Sequence, residues 1–483
     1  MKARRFVALI SVGALLSGCG GGGGGGNALV GTTPTPTQTS PTPSTPAPTA
    51  TCSLRARQDW VTAQMREWYL FPETLPASLD PAAYATLSDY VDALTATARA
   101  QRRDRFFTYV TSIAEENAYY SSGQTAGFGV RLEYGTTSLT VLEGFENGPA
   151  LAAGIDRGTV ITGVGPVGGP VRTIADLYSS GGTQAIVDAL GPSTAGTARV
   201  LAIRGTDGGT RQVTVTKADF ELPAVSPRYG VRVIEQEGRR IGYINLRTFI
   251  DTAEQPLRNA FARFRAEGVT EIVFDLRYNG GGLVRVAELI GDLMARDRFS
   301  SDVFSYTTFR PEKSAQNSTR FFQQRSDSIA PTRVSFIGRG GTASASELVI
   351  NAFIPYLGQN LALVGTNTYG KPVGQIALDR SACDDRLRVV AFATQNRDRQ
   401  GDYYDGLASK VANSCAAADD ASFPLGDPRE ASIARSIDFI AGRACTRIAG
   451  EGVQGQSARI EREQLLLSPD RPTTAQREVP GLF

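Results

Sequence analysis

Three short segments carry side chains whose types and spacing could do chemistry. Gly340-Gly341-Thr342-Ala343-Ser344-Ala345-Ser346-Glu347 puts a hydroxyl at a junction between a predicted strand and a predicted helix. Small residues let the backbone turn sharply there, and the free N–H groups of a helix start gather with the positive end of its dipole. That setting stabilises a developing oxyanion. The plain alternative is a capping arrangement, Thr or Ser before a helix with Glu347 nearby.

Asp275-Leu276-Arg277-Tyr278-Asn279-Gly280-Gly281-Gly282 is a second such junction. Its glycines expose backbone N–H groups that could form half an oxyanion hole or hold a phosphate. It is neither G-x-G-x-x-G nor followed by Gly-Lys-Ser/Thr, so nucleotide binding is the weaker choice, and a simple turn remains open. The third segment, Gly365-Thr366-Asn367-Thr368-Tyr369-Gly370-Lys371-Pro372-Val373-Gly374-Gln375, carries Lys371 on a glycine-rich loop. Most lysines are solvated surface groups. A general base needs a lysine pKa lowered from about 10.4 towards roughly 7–8, and burial alone can supply that.

The chain has no histidine. Catalysis by Ser–His–Asp or Cys–His and every histidine-ligated zinc site are thereby excluded. Proton transfer near neutral pH must use carboxylates, Lys, Tyr or Cys. The 50 basic residues nearly balance 48 acidic ones, for a net charge of +2, which gives no reason to expect a nucleic-acid partner. No metal or organic cofactor is called for.

At the N-terminus, Lys2, Arg4 and Arg5 precede a mostly apolar stretch at 6–16, too short to span a bilayer but suited to a signal peptide. It ends in Leu16-Ser17-Gly18-Cys19, which resembles a bacterial lipobox and implies cleavage before Cys19 and acylation of its thiol; an ordinary secretory signal is the alternative. The expected location is the bacterial cell envelope, lipid-anchored, at the outer membrane facing the periplasm. A Gly/Pro/Thr-rich tether follows at 19–51 and cannot bury enough apolar surface to fold. Cys52, Cys383, Cys415 and Cys445 remain, an even number compatible with two disulfides in any of three connectivities. Cys383 with Cys415 and Cys52 with Cys445 is the preferred pairing.

Residues 52–117 carry helical spacing, as in Trp60, Met65, Trp68 and Tyr69. At 118–219 the period changes to that of strands, at 127–134, 138–145, 160–164, 198–204 and 212–217, with short helices at 148–154 and 183–190. In 220–448 strands at 241–246, 271–276, 334–337 and 361–364 alternate with helices at 254–267, 283–296 and 344–353. That alternation predicts an α/β layer on a largely parallel sheet. Residues 449–483 read as a polar tail.

Together the three segments resemble one family, the carboxy-terminal processing, or tail-specific, serine peptidases. Its pattern, a strand with DLR-x-N-x-GG, then S/T-A-S-A-S-E, then T-F/Y-G-K-x-x-x-Q, occurs here in order, and the likeness covers about residues 60–415. Thr342 stands where the family has serine and Pro372 where it has glycine. The resemblance implies a ClpP/crotonase-like α/β core with a β-rich PDZ domain inserted in or preceding it. It implies Ser344 as nucleophile, Lys371 as general base, Gln375 orienting the lysine, and the amides of Gly281 and Ala345 as oxyanion hole. The spacing to Lys371 runs slightly long, so counting back from the lysine would point at Ser346, which stays a candidate.

Gly127-Phe128-Gly129-Val130 resembles the carboxylate-binding loop of a PDZ domain, which would receive the C-terminal tail of a protein or peptide substrate. The implied function is tail-specific endoproteolysis of exported proteins. A non-catalytic peptide- or ligand-binding envelope lipoprotein on the same fold is the alternative. The N-terminal helical region offers a contact through which a homodimer could form.

Overall fold

The structure, a computed structural model, describes residues 50–448 and 465–483. The signal, the lipobox with Cys19 and most of the tether lie outside the described residues.

A six-stranded sheet forms the centre of the α/β part, in the order Val231–Gln236, Arg239–Asn245, Glu271–Asp275, Arg333–Gly338, Leu361–Gly365, Asn413–Ala416. The first pair is an antiparallel hairpin and the remaining neighbours run parallel. Period-two alternation divides each strand between two cores. Ile272, Phe274, Val334, Phe336, Leu361 and Leu363 face the helices Glu254–Ala266, Val284–Leu293 and Ala345–Leu357. Val273, Ile337, Ala362 and Val364 face the helix Ala431–Ile440. The sequence expectation of strands alternating with helices holds for this region.

The β-rich region is an antiparallel sheet running Val130–Tyr134, Leu139–Gly144, Val160–Pro166, Ala198–Arg204, Thr210–Thr216. The strand expected at 127–134 is divided: Gln124–Gly127 pairs with Ala218–Glu221, and a loop at 128–129 precedes Val130–Tyr134. The helix expected at 183–190 begins earlier, at Ile174, and is interrupted where Gly181 (φ −169°, ψ 24°) and Gly182 (φ 63°, ψ −149°) leave helical geometry.

A third sheet was not expected from the sequence: Tyr109–Ser112, Asp385–Gln395 and Val303–Phe309 pair antiparallel, with Val373–Arg380 also on Asp385–Gln395. The helices Leu54–Trp68 and Leu87–Leu94 pack on this sheet, Val61, Met65 and Val91 meeting Val373, Leu387, Val389 and Val390.

Two expectations are corrected. The disulfides are Cys52–Cys383 and Cys415–Cys445, not the pairing preferred from sequence. Cys52 lies beside the start of the first helix, which the third sheet carries against Cys383, and that sheet was not foreseen. Nor are residues 465–483 merely a polar tail. Leu465–Leu466 pairs with Val130–Tyr134, Thr474–Glu478 is helical, and Val479, Leu482 and Phe483 are buried. Their apolar residues are separated by charged ones, so composition reads polar while each finds its own place in a core.

Candidate active site

The catalytic candidates gather at the C-terminal ends of neighbouring parallel strands, where open α/β sheets place their ligand crevices. Strand Glu271–Asp275 runs into the glycine segment and Arg333–Gly338 into the serine segment. Asn279 fastens the two. Its carbonyl accepts the Ala343 N–H at 3.0 Å and the Ser346 hydroxyl at 3.1 Å, and its side-chain oxygen accepts the Gly281 N–H at 2.9 Å. The Thr342 hydroxyl adds a bond to the Leu276 carbonyl at 2.8 Å.

Ser344 is the N-cap of the helix Ala345–Leu357 and has φ 56° and ψ −114°. A positive φ is uncommon for a non-glycine residue and costs on the order of 1–3 kcal/mol unless its surroundings enforce it. Here they do: Gly281 (φ 118°) lies against it, so close that a Cβ there would sit 2.8 Å from the Ser344 Cβ and 3.0 Å from the Ala345 nitrogen. Ser344 keeps part of its surface open. Ser346, two positions on, is buried and spends its hydroxyl on Asn279.

Lys371 follows the strand Leu361–Gly365 by a short loop and precedes Val373–Arg380, which carries Gln375. Its ammonium donates to Gln375 Oε1 at 2.9 Å and lies 5.1 Å from the centre of the Phe107 ring. Gln375 in turn donates to the Phe107 carbonyl. Removal from water lowers the Lys371 pKa below its ordinary value, and the Glu478 carboxylate is the largest of the charges opposing that. Among the described residues, the hydrogen bond of the Lys371 ammonium goes to Gln375 and not to a serine oxygen.

Glu347, read from sequence only as a helix-start residue, holds the serine and lysine segments together. One oxygen accepts the Thr368 hydroxyl at 2.6 Å and the Gly370 N–H at 2.7 Å; the other accepts the Lys371 N–H at 2.7 Å and the Ser344 N–H at 3.1 Å. Burial pushes its carboxyl up, against the pull of these donors. Its buried place was not legible, because a Glu at that spacing is also an ordinary cap. Arg105 secures the lysine loop from outside through the Tyr369 and Gly370 carbonyls, both at 2.6 Å.

The amide assignments come out unevenly. Gly281 lies against Ser344 and Ala345, but its N–H is taken by Asn279. The neighbouring Gly280 N–H donates to the Glu478 carbonyl at 2.8 Å. In the loop resembling a carboxylate-binding site, the Gly129 and Val130 N–H groups both donate to the carbonyl oxygen of Phe483, at 2.9 and 3.2 Å, and the Gly127 backbone lies against Phe483. Phe128 is buried in the β-rich core beside the Phe483 side chain. A cavity of about 710 Å³ runs beside the site, lined by Gly280, Gly341, Tyr369 and Lys371 on one side and by Arg477 and Glu478 on the other.

Two segments of the chain match models of one peptidase family. The model of peptidase family S41 fits residues 240–401, and that of the peptidase S41 N-terminal domain fits residues 56–109, which include Arg105 and Phe107. The chain is 27% identical over 277 residues to a chloroplastic C-terminal processing peptidase of Tetradesmus obliquus, covering 54% of each. It is 30% identical over 263 residues to carboxyl-terminal-processing peptidase 2, chloroplastic, of Arabidopsis thaliana, covering 52% of this chain and 46% of that one. The chain spans about half the length of the curated relatives it matches. A solved Bacteroides fragilis structure described as an S41 protease superposes with a TM-score of 0.61 at 21% identity, over 79% of this chain and 97% of that one, a likeness of fold. By these matches the chain carries a peptidase family S41 domain at residues 240–401 and that family's N-terminal domain at residues 56–109.

Proposed function

We propose that this chain is a serine endopeptidase working through a Ser–Lys dyad, with Ser344 as nucleophile and Lys371 as general base. One observation carries the reading: a desolvated lysine, aligned by Gln375, on a loop that Glu347 ties to the backbone of a serine held at positive φ. Neutral Lys371 takes the Ser344 proton as Oγ attacks a substrate carbonyl. The developing oxyanion is met by the Ala345 N–H and by the glycine run, with Gly281 turning its N–H from Asn279 to the substrate. The lysine then protonates the leaving amine as the C–N bond breaks. Water, deprotonated by the same lysine, resolves the acyl-enzyme. For the first step the Lys371 ammonium must exchange Gln375 for the serine oxygen.

The β-rich region at 118–219 is taken as a PDZ domain and the core at 220–448 as ClpP/crotonase-like. The substrates are exported proteins caught by their C-terminal tails, and Cys19 anchors the enzyme by a lipid. The tail preference is supported by the Gly129 and Val130 N–H groups, which both reach one backbone oxygen, that of Phe483.

The test is cleavage of an unfolded protein substrate by Ser344→Ala, Ser346→Ala and Lys371→Ala variants with native circular dichroism. Loss in the first and third with activity kept in the second is expected. Activity kept in Ser344→Ala and lost in Ser346→Ala moves the nucleophile by two residues. Binding without cleavage in the unaltered protein leaves the receptor reading.

A further inference from the structure

Residues 465–483 lie in the groove that a substrate strand would enter. The Phe483 N–H donates to the Val130 carbonyl at 2.9 Å and the Leu132 N–H to the Gly481 carbonyl at 2.8 Å, with Leu482 opposite Arg131 in antiparallel register. These bonds join the Gly129 and Val130 contacts to Phe483, whose side chain is buried with Leu132 and Val130. This is strand addition, the way peptide-binding sheets take an extended ligand. The segment then turns towards the catalytic loops. Arg131 binds both the Pro480 carbonyl, at 2.6 Å, and the Tyr278 carbonyl, at 3.1 Å, and the Gly280 N–H holds the Glu478 carbonyl. Further back, Arg471 pairs with Asp89 and Asp92 of the N-terminal region.

We propose that residues 465–483 are a built-in occupant of the peptide groove that keeps the candidate active site shut, displaced by peptides that carry a similar apolar sequence such as Gly-Leu-Phe. The proposal rests on the peptidase reading for its consequence, but the occupancy itself does not depend on it. Two physical effects follow. A segment tethered to the same chain competes intramolecularly, so a free tail must bind well to displace it. The Glu478 carboxylate also favours the charged form of Lys371, opposing the neutral form that a general base needs. Departure of the segment would free the Gly280 amide and remove that charge together.

The test uses the full chain carrying Leu482→Ala and Phe483→Ala, and a synthetic peptide of residues 465–483. Cleavage of an unfolded substrate should rise at least about tenfold, the gain expected when the open form is about a tenth or less of the population. The added peptide should reverse the rise. A fluorescent form of the peptide should bind the double variant in a Ser344→Ala background and bind the otherwise unaltered chain more weakly. Should the double variant fail to fold, hydrogen exchange on the Ser344→Ala chain carries the test. Excess peptide must then speed exchange in residues 474–483 while leaving the strand Glu271–Asp275 protected. Ser344-dependent cleavage that does not rise, with no peptide binding, overturns the proposal and leaves the peptidase reading standing. Peptide binding and displacement with no cleavage in any form keeps the occupant and removes the peptidase reading.

Discussion

The Glu347 carboxylate accepts the backbone N–H of Lys371 at 2.7 Å, tying the start of the helix Ala345–Leu357 to the loop that follows the strand Leu361–Gly365. With Ser344, Thr368 and Gly370 on the same carboxylate, it fixes where the lysine loop lies relative to the serine helix. Replacing Glu347 with Gln keeps the size but exchanges an acceptor for a donor. Turnover should fall about 100-fold, the scale of a misplacement near 1 Å, with KM little changed. Steady-state kinetics on a peptide substrate checks this; an unaltered turnover number removes the positioning role.

Gly281 should tolerate no side chain. Its φ of 118° and the 2.8 Å approach of a Cβ to Ser344 both oppose Gly281→Ala. The variant should lose about 1–3 kcal/mol of stability from strain and at least about 100-fold in turnover as Ser344 is pushed aside. Urea unfolding and single-turnover kinetics read the two effects separately.

A lysine base works only when neutral, so the rate should rise with pH through the Lys371 pKa. Because burial lowers that pKa, the half-rise should fall below 10.5, the ordinary lysine value. Glu478 and Asp104 favour the charged form, whereas Arg477 and Arg388 oppose it. Removing the carboxylate with Glu478→Gln should therefore move the half-rise to lower pH. A pH profile of kcat/KM decides; a shift towards higher pH contradicts the assignment.

Arg277, from the same motif as the glycine run, is buried between Asp275, Asp419 and Glu430. Arg277→Ala would strand these carboxylates and should cost about 3–5 kcal/mol. Burial by itself would raise the Glu430 pKa, but the Arg277 charge and hydrogen bonds, the Asp420 N–H and the Arg157 charge together outweigh it and bring the carboxyl down to about 2. A depressed folded-state pKa means stability fully present above the unfolded value, near 4.5, and lost as pH falls towards 2. Urea titrations across that window should show a smaller loss in Arg277→Ala than in the unaltered protein.

The disulfide Cys52–Cys383 spans 331 residues and fastens the start of the N-terminal helical region beside the strand that carries Gln375. Removing it by Cys52→Ser with Cys383→Ser should cost about 2–5 kcal/mol. Calorimetry measures the loss, and non-reducing peptide mapping of the unaltered protein must recover the Cys52–Cys383 and Cys415–Cys445 pairs.

The sequence alone determined the chemistry on offer and the elements that carry it. The absence of histidine ruled out the common catalytic triads, and Asp275–Gly282, Gly340–Glu347 and Gly365–Gln375 each stood at a strand end because period-two and period-3.6 spacings are local properties of the chain. Partnerships were not local. That Asn279 ties the glycine run to Ser346, that Glu347 reaches Lys371, and that Phe107 walls the lysine depends on which strands lie side by side, and the sheet made by Val373–Arg380 and Asp385–Gln395 was not read. The place of residues 465–483 was hidden for the same reason. Val479, Leu482 and Phe483 are too few and too scattered to mark a core segment by composition, and only a sheet edge and a cleft built by distant residues give them somewhere to be buried.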